Sequence, residues 1–421
     1  MVKSVKPSEI NGRVKAPASK SMLQRAIAVS LLSGTPTRLT NTTFCSDSEA
    51  AIDIIRSLGA NVKVEADSLL IKGGINPSGE ELNCRESGLS IRMFTPIAAL
   101  SHQKLVLTGS GSLLSRPVSM IESPLQQLGV FVSSSHGFPP ITVQGPLKGR
   151  TANVDGSISS QFLTGLLIAL PNAYGNSTLI VNELKSTPYI DLTLSLLKHF
   201  GVSIHHDRYR QFHIQGNQVP NAKNGEYNIE GDWSGAAFLL VAGAIAGSVT
   251  VTDLDPHSLQ ADARILDALR EAGAHVRIDP LSPDTVQVEC KELHSFSFDA
   301  THCPDLFPPL AVLAFHCKGK TVLHGVERLV HKESNRAAAL QELFSSLGAA
   351  LHINGNRMEI EGTPLNGGTV DSHNDHRIAM AAAVAALRAR SNVTILRYEC
   401  VNKSYPRFFD DFRQIGGITY E

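Results

Sequence analysis

The pattern of hydrophobic and polar positions repeats six times along the chain. In each repeat, apolar residues at helical spacing end at a step such as Leu58-Gly59-Ala60, and strand-like residues follow. A glycine directly after the last apolar residue is a helix stop. These glycines lie about 70 residues apart, so the pattern predicts six copies of one folding subunit. They are Gly59, Gly129, Gly201, Gly273, Gly348 and Gly416.

Repeat five shows the order of elements most clearly. An apolar helix pattern from Leu310 is followed by a strand, a second helix, the glycine stop and two strands that flank Asn354-Gly355-Asn356, a hairpin signal. Repeats one to four have a matching last strand, but repeat six ends at Glu421 without one. Residues 3–14 have no helix to pack against, so we predict that they complete repeat six.

Three repeats per domain is the natural division of this α/β (α+β) chain. A polar stretch rich in Asn, Pro and Gly, residues 217–225, separates repeats three and four, as expected for a boundary. We therefore predict one domain over residues 18–229 and one discontinuous domain over 1–17 and 230–421. The chain would cross between them near Pro17 and Glu230, and two such crossings would form a hinge.

Positively charged residues recur near predicted helix starts. Residues 330–336 are predicted to open an amphipathic helix, which places Lys332 and Arg336 in its first turn, where the helix dipole and their mutual repulsion disfavour them. Solvation, or neutralisation by Glu333 alone, is the ordinary explanation for one helix. Because the arrangement recurs, we predict a concave anion-binding site built from helix starts. The other cations are Lys20, Arg25, Arg92, Arg116, Arg377 and Lys403.

Charge and composition restrict the function further. The chain has 38 Lys and Arg against 39 Asp and Glu, a net charge of −1, which argues against nucleic-acid binding. Six cysteines without CxxC spacing and a start without an apolar signal core favour a reduced cytoplasmic protein. The longest apolar run, residues 236–246, is too short to span a bilayer and predicts a buried helix.

Several polar groups have both a structural and a functional interpretation. Ser159-Ser160-Gln161, Ser186 with Tyr189, and Asp305 all precede predicted helices and could simply cap them. Glu333, between two cations, is instead a candidate proton shuttle. His373 and His376 are three residues apart but lack further ligand motifs, so we expect no metal site. Without a P-loop or a complete glycine fingerprint, we also expect no nucleotide cofactor.

Taken together, the motifs resemble those of the 5-enolpyruvylshikimate-3-phosphate synthase family, the enolpyruvyl transferases of the shikimate pathway. They occur in order over essentially the whole chain. They are Ala18-Ser19-Lys20-Ser21 with Arg25, Ser159-Ser160-Gln161, Lys332-Glu333-Ser334-Asn335-Arg336, Asn374-Asp375-His376-Arg377 and Lys403.

The resemblance implies two domains, each of three βαβαββ units, that close on a cleft lined by helix N-termini. It implies transfer of the enolpyruvyl group of phosphoenolpyruvate to the 5-hydroxyl of shikimate 3-phosphate by addition and elimination, without metal or cofactor. The expected protein is a cytoplasmic monomer with small-molecule substrates and no nucleic-acid or membrane partner.

The resemblance also assigns residues. Glu333 and Asp305 would be the acid/base pair, assisted by Lys20. The implied shikimate 3-phosphate ligands are Lys20, Ser21, Arg25, Ser159, Ser160, Gln161, Ser186, Tyr189, Asp305 and Lys332. The implied phosphoenolpyruvate ligands are Lys20, Gly88, Arg116, Gln161, Arg336, Arg377 and Lys403.

The chain departs from the family pattern near the expected phosphoenolpyruvate site. The family usually has Asn-Ala-Gly-Thr where this chain has Glu86-Ser87-Gly88-Leu89, which bears on the walls of that site and on the response to glyphosate. Asn335 replaces a usual Asp, Thr187 a common Lys, and Arg328 an Asn that binds substrate in some members. None of these is a carboxylate of the expected acid/base pair.

Two alternatives remain at the level of sequence. The sister enzyme that acts on UDP-N-acetylglucosamine has a related fold and mechanism, but it typically has Lys-Asn at Lys20-Ser21 and a cysteine in the loop of residues 109–116. A binding ring built from repeats, such as a sliding clamp, would explain six units without chemistry. It would require a basic inner stripe, and the net charge argues against one.

Overall fold

Two compact units are defined by the contacts between Cα atoms in this computed structural model. One consists of Met1–Pro17 and Glu230–Glu421, and the other of Ala18–Ile229. The structure describes residues 1–330 and 332–421, so His331 of the predicted helix start lies outside the described residues. We call the discontinuous unit the first compact unit and the continuous one the second compact unit.

The elements of the chain follow one order in every repeat. At the N-terminus lie β1 (Val2–Lys6) and β2 (Ile10–Lys15). The second compact unit contains α1 (Lys20–Leu31), β3 (Thr37–Thr40), α2 (Ser46–Ser57), β4 (Asn61–Val64), β5 (Leu69–Lys72), β6 (Glu81–Asn83), α3 (Gly88–Ala98), β7 (Lys104–Thr108), α4 (Glu122–Gln127), β8 (Phe131–Ser135), β9 (Phe138–Gln144), β10 (Thr151–Asp155), α5 (Gln161–Ala169), β11 (Ser177–Asn182), α6 (Thr187–His199), β12 (Ile204–Asp207), β13 (Gln211–Ile214) and β14 (Glu226–Asn228).

The remainder of the first compact unit continues the same order. Its elements are α7 (Trp233–Ala246), β15 (Gly247–Thr252), α8 (Ile265–Glu271), β16 (His275–Asp279), β17 (Ser282–Glu289), β18 (Ser297–Asp299), α9 (Phe307–Phe315), β19 (Lys320–His324), α10 (Arg336–Ser346), β20 (Leu351–Asn354), β21 (Arg357–Glu361), β22 (Gly368–Asp371), α11 (His376–Ala386), β23 (Val393–Leu396), α12 (Phe408–Gln414) and β24 (Ile418–Tyr420).

Each repeat forms a four-stranded sheet with the same topology. In repeat two the strand order is β6-β7-β9-β8, in which β6 and β7 are parallel and the other two pairings are antiparallel. The six stop glycines all have positive φ, as a helix C′ position requires. The predicted βαβαββ repeat and its glycine stops are therefore confirmed.

The N-terminal residues were only half correctly predicted. Strand β1 does complete repeat six, because it pairs antiparallel with β23 and β24. Strand β2 instead pairs in parallel with β15 and supplies the first strand of repeat four. At the other crossing, β14 pairs in parallel with β3 and supplies the first strand of repeat one.

The first helix of each repeat is buried inside its compact unit. Every residue of α7, α9 and α11 is buried, and these three helices pack against one another. In the second compact unit, α3 is completely buried and packs against α1 and α5. The predicted buried helix over residues 236–246 is confirmed as part of α7. Because these helices are buried along their length, we expect the functional polar side chains near the helix starts.

Several predicted helix starts were misplaced. Helix α10 begins at Arg336, because the side chain of Asn335 caps it by accepting from the Ala338 N–H at 3.4 Å. Lys332 therefore precedes the helix rather than lying in its first turn. Arg92 lies in the second turn of α3, whose cap is Ser87.

Two further cations lie outside α-helices. Arg116 has extended backbone dihedrals and is followed by Pro117, which disfavours helix at the preceding residue. Lys403 ends a 3₁₀ helix, Tyr398–Lys403.

Candidate active site

The second compact unit places two cations on α1. The side chain of Ser19 caps the helix by accepting from the Met22 N–H at 3.4 Å. Lys20 follows as the first helical residue, and its Nζ lies 2.9 Å from Asp47 Oδ2 on α2. Asp47 was missed from the sequence, although an acid in the first turn of α2 is an ordinary helix-start signal. Lys20 is thus fixed in place by an acidic partner.

Arg25 differs from Lys20, because its partners are neutral. The residue is 1% exposed, and its guanidinium donates from Nε to Thr193 Oγ1 at 3.0 Å and from Nη1 to the Ser21 carbonyl at 2.8 Å. The Tyr189 ring lies 5.9 Å away. Burial lowers the pKa of Arg25 to about 10, and Tyr189 opposes this shift. Among the described residues no carboxylate forms an ion pair with Arg25, so the unit buries a cation that an anion would stabilise.

The loop that carries Arg116 lies against the start of α3. A Cβ added to Gly88 would lie 2.6 Å from Arg116 Nη1, so the absence of a side chain at this position makes room for the guanidinium. Ser87 caps the helix by accepting from the Ser90 N–H at 3.2 Å. The predicted Gly88 and Arg116 are therefore brought together at one helix start.

The remaining predicted residues of this unit lie at the starts of α5 and α6. Ser159 Oγ accepts from the N–H of Gln161, the first residue of α5, at 3.2 Å, and Ser160 is the cap position without a side-chain capping bond. Ser186 precedes α6 in a left-handed conformation, with φ of 58°. Tyr189 lies in the first turn of α6, and its carbonyl accepts from Thr193 Oγ1 at 2.8 Å.

In the first compact unit, Arg336 is the centre of a cluster of charges. Its side chain is fully buried, and it donates from Nε to Asp375 Oδ2 at 2.9 Å, from Nη1 to Asp305 Oδ1 at 2.8 Å and from Nη2 to Glu333 Oε2 at 2.6 Å. Burial lowers the pKa of Arg336, but the three carboxylates outweigh this effect and raise it. Arg336 therefore stays charged and holds three acids together.

Asp305 is held by three cations from different segments. Besides Arg336, its carboxylate accepts from Arg377 Nη2 at 3.1 Å and from Lys332 Nζ at 3.3 Å. Burial raises the pKa of Asp305, but the three cations, Arg377 most strongly, lower it well below its ordinary value. The same burial lowers the pKa of Lys332. The simple capping interpretation of Asp305 is wrong, because Leu306 is the cap residue of α9 and makes no side-chain capping bond, while the Asp305 carboxylate binds cations.

Two residues of this cluster escaped the sequence analysis. Asp375 lay inside the quoted motif without a role, yet it caps α11 by accepting from the Arg377 N–H at 2.9 Å while it binds Arg336. Asp262 is 1% exposed and accepts from Ser234 Oγ, whose backbone carbonyl accepts from Arg377 Nη1 at 3.4 Å. Only Asp375 had a visible signal, as an acid before a helix start.

Lys403 is buried in the same compact unit, at the end of its 3₁₀ helix. Tyr405, two residues later, donates from its hydroxyl to Asp411 Oδ2 at 2.8 Å and packs beside Gly235 at the start of α7. A Cβ on Gly235 would lie 3.1 Å from the tyrosine ring. The segment that bears Lys403 is therefore anchored next to a first helix of a repeat.

We expect Asp262→Asn to change how stability depends on pH. Burial and then Asp305 raise the pKa of Asp262 to about 6, with Arg377 opposing the shift. The folded wild type therefore binds this proton more tightly than the unfolded chain, so Asp262 lowers stability as pH rises from about 4 to 6. The variant lacks this loss. Between pH 4 and 7 its unfolding free energy should therefore rise, relative to that of the wild type, by on the order of 2–3 kcal/mol.

Urea unfolding followed by Trp233 emission measures this difference, because Trp233 is completely buried in α7 of the same unit. Asp267→Asn is the matched control, since Asp267 lies on α8 with 54% of its side chain exposed. A difference between Asp262→Asn and wild type that is constant from pH 4 to 7 would contradict titration of Asp262.

The described residues contain neither a candidate metal site nor a candidate membrane span. In residues 1–330 and 332–421, no cluster of His, Cys, Asp and Glu is placed to hold a metal ion. No helix within the described part of the chain is long and apolar enough to cross a membrane.

Comparisons with known proteins agree with this architecture. The profile of the EPSP synthase (3-phosphoshikimate 1-carboxyvinyltransferase) family matches residues 5–412. The 3-phosphoshikimate 1-carboxyvinyltransferase of Clostridium novyi (strain NT) is 37% identical over 428 residues, covering 99% of this chain and 97% of that protein. The enzyme of that name from Clostridium perfringens (strain SM101 / Type A) is 38% identical over 422 residues, covering 99% of both.

A solved structure is similar over its whole length. The structure of EPSP synthase from Acinetobacter baumannii, at 25% identity, superposes with a TM-score of 0.83 and covers 100% of both chains. The family resemblance and the two-domain enolpyruvyl transferase fold expected from the sequence are thereby confirmed. This chain belongs to the EPSP synthase family.

Proposed function

We propose that this protein transfers the enolpyruvyl group of phosphoenolpyruvate to the 5-hydroxyl of shikimate 3-phosphate and releases phosphate, a step of aromatic amino acid biosynthesis. The observation that carries the proposal is Arg25, a buried guanidinium whose hydrogen bonds within the described part of the chain go to neutral oxygens. A phosphate group would supply the missing negative charge. The names of the relatives favour this reaction over UDP-N-acetylglucosamine transfer and over a non-enzymatic ring.

Shikimate 3-phosphate is assigned mainly to residues of the second compact unit. Arg25 and Lys20 supply charge, and hydroxyl groups near the starts of α1, α5 and α6 supply neutral hydrogen bonds. Asp305 and Lys332 are assigned to the same substrate from the first compact unit. The full proposed set is Lys20, Ser21, Arg25, Ser159, Ser160, Gln161, Ser186, Tyr189, Asp305 and Lys332.

Phosphoenolpyruvate is assigned to a set richer in cations. Arg336 and Arg377 both contact Asp305 in this structure, so an incoming carboxylate or phosphate would exchange one anionic partner for another. This exchange keeps the arginines charged and oriented before the substrate binds. The full proposed set is Lys20, Gly88, Arg116, Gln161, Arg336, Arg377 and Lys403.

The proposed chemistry is addition followed by elimination. A proton adds to the methylene carbon of phosphoenolpyruvate while the 5-hydroxyl oxygen attacks the adjacent carbon and loses its proton, giving a tetrahedral intermediate. Loss of a methyl proton and of phosphate then restores the double bond in the product. Asp305, which three cations keep ionised, is assigned as acceptor for the hydroxyl proton. Glu333 is assigned the proton exchange at the methylene carbon, with Lys20 assisting.

Arg25→Gln tests the proposal through binding. We expect the wild type to bind shikimate 3-phosphate saturably in a calorimetric titration, and the variant to bind about tenfold to a hundredfold more weakly, because a charge-assisted contact is worth about 1.5–3 kcal/mol. Thermal stability should be kept or raised, since the variant removes a buried cation that lacks an acidic partner.

The matched control is Arg38→Gln, because Arg38 lies on β3 of the same unit, 35% exposed and paired with Glu65. It should bind shikimate 3-phosphate as the wild type does. If the wild type neither binds this ligand nor releases phosphate from phosphoenolpyruvate in its presence, the proposed function is wrong. If the wild type binds shikimate 3-phosphate and Arg25→Gln binds it equally tightly, the assignment of Arg25 is wrong.

We also propose that the enzyme acts as a cytoplasmic monomer on these two small molecules. Size-exclusion chromatography with light scattering should give the mass of a single chain, 45.2 kDa. A stable dimer would contradict this part of the proposal.

A further inference from the structure

Arg92 is a buried arginine that the residue assignments above do not use. It lies in the second turn of α3 and is 2% exposed. Its guanidinium bridges two acceptors, because Nη1 donates to Gln161 Oε1 at 2.8 Å and Nη2 donates to the Pro117 carbonyl at 2.9 Å. One side chain therefore connects three segments of the second compact unit: α3, the start of α5 and the loop that follows Arg116.

The contact with Gln161 selects one orientation of its amide group. A guanidinium carries only donors, so the amide must turn its oxygen toward Arg92. The NH₂ group of Gln161 has no hydrogen-bond partner among the described residues, and it remains as a pair of donors for a ligand. A free glutamine could present either its oxygen or its nitrogen. Arg92 removes this choice and makes Gln161 a donor, which suits a substrate rich in anionic oxygens.

The contact with Pro117 acts on the second ligand-bearing segment. The guanidinium of Arg116 packs over Gly88, and Gly88 lies one helical turn before Arg92 on the same helix. Because the carbonyl of the residue after Arg116 is held by Arg92, the backbone that aims Arg116 at the start of α3 is fixed from the same helix. The two hydrogen bonds of Arg92 therefore act on segments that carry Gln161 and Arg116, both assigned to phosphoenolpyruvate.

We propose that Arg92 is a positioning residue, which sets the donor orientation of the Gln161 amide and anchors the Arg116 segment for phosphoenolpyruvate binding. This inference rests on the proposed function. Arg92 acts through other residues and touches no reacting atom in this proposal. Its loss should therefore affect the KM for phosphoenolpyruvate more than kcat.

The test is a double-mutant cycle measured by phosphate release at saturating shikimate 3-phosphate. We expect Arg92→Met and Gln161→Met each to raise the KM for phosphoenolpyruvate about tenfold, the effect of one lost hydrogen bond to a charged group. The double variant should be little worse than the more damaged single variant, because Arg92 has no oxygen of Gln161 left to orient. The anchoring of Arg116 leaves a smaller residual effect of Arg92→Met in the Gln161→Met background.

Controls separate this inference from folding and from the proposed function. Arg150→Met makes the same change at an exposed position of the same unit and should leave KM unchanged. If Arg92→Met fails to unfold cooperatively, Arg92→Lys replaces it in the cycle, since a single ammonium nitrogen cannot reproduce the planar two-acceptor bridge.

Three outcomes would each overturn either the inference about Arg92 or the proposed function. Fully additive effects of Arg92→Met and Gln161→Met would show that Arg92 does not act through Gln161 and would overturn the inference, as would an unchanged KM in a folded Arg92 variant. If either result is found while the wild type turns over normally, the proposed function stands and the inference about Arg92 fails. A wild type that releases no phosphate refutes the proposed function itself.

Discussion

Glu333→Gln is expected to lose most of its turnover while it keeps its affinity for shikimate 3-phosphate. Glu333 binds Arg336 through one oxygen, Oε2, 2.6 Å from Nη2, and glutamine can reproduce this contact with its amide oxygen. The amide has nearly the same shape but cannot exchange a proton. Since a general acid or base contributes roughly 10²–10⁴ in rate, phosphate release should fall by about that factor.

The measurement pairs steady-state phosphate release with calorimetric titration of shikimate 3-phosphate. Glu342→Gln is the matched control, because Glu342 lies on α10 with 57% of its side chain exposed and contacts His373 outside the cluster. Its turnover should equal that of the wild type. Near-normal turnover in Glu333→Gln would remove Glu333 from the acid/base assignment.

Arg336→Met should destabilise the first compact unit strongly. The substitution keeps most of the side-chain volume but removes the cation that Asp305, Glu333 and Asp375 share. Breaking a buried ion pair by removing one partner costs about 3–5 kcal/mol, because the remaining charges are left uncompensated. Urea unfolding followed by Trp233 emission should show this loss at pH 7, and affinity for phosphoenolpyruvate should fall as well.

Arg377→Met provides an informative contrast in the same cluster. Arg377 contacts Asp305 and the Ser234 carbonyl, and Asp305 would still retain Arg336 and Lys332. We therefore expect a smaller loss of stability, with phosphoenolpyruvate affinity reduced about tenfold to a hundredfold and shikimate 3-phosphate binding nearly unchanged.

The control for stability is Arg413→Met, which removes an ion pair with Asp410 from an arginine that is 44% exposed. Its unfolding free energy should change by less than about 1 kcal/mol, as for exposed pairs in general. An equally small change in Arg336→Met would show that Arg336 does not organise the cluster.

The repeat could be predicted from the sequence because its signals are local. A glycine after an apolar helix reports on its own backbone, and Gly59, Gly201 and Gly348 all adopt the positive φ that ends a helix. The hairpin signal is equally local, and β20 and β21 pair antiparallel around the predicted turn at Asn354-Gly355-Asn356. Such features need no knowledge of distant residues.

The strand pairing of the N-terminus could not be predicted in the same way. The sequence shows that residues 3–14 are strand-like and lack a helix of their own. It does not show that β1 joins repeat six by pairing with β23, whereas β2 joins repeat four by pairing with β15. These pairings form only in the folded chain, where β1 lies between β23 and β24 and β2 is the edge strand next to β15.

The sequence by itself was sufficient to identify the motif residues and the family to which the chain belongs. What only the tertiary structure decided is which charges neutralise which. Arg25 and Arg336 look alike in the sequence as cations near helix starts, yet one is buried among neutral oxygens and the other among three carboxylates. The effect of a buried charge depends on partners within a few ångströms, and those partners, Asp375 and Thr193, are brought to the arginines only by folding.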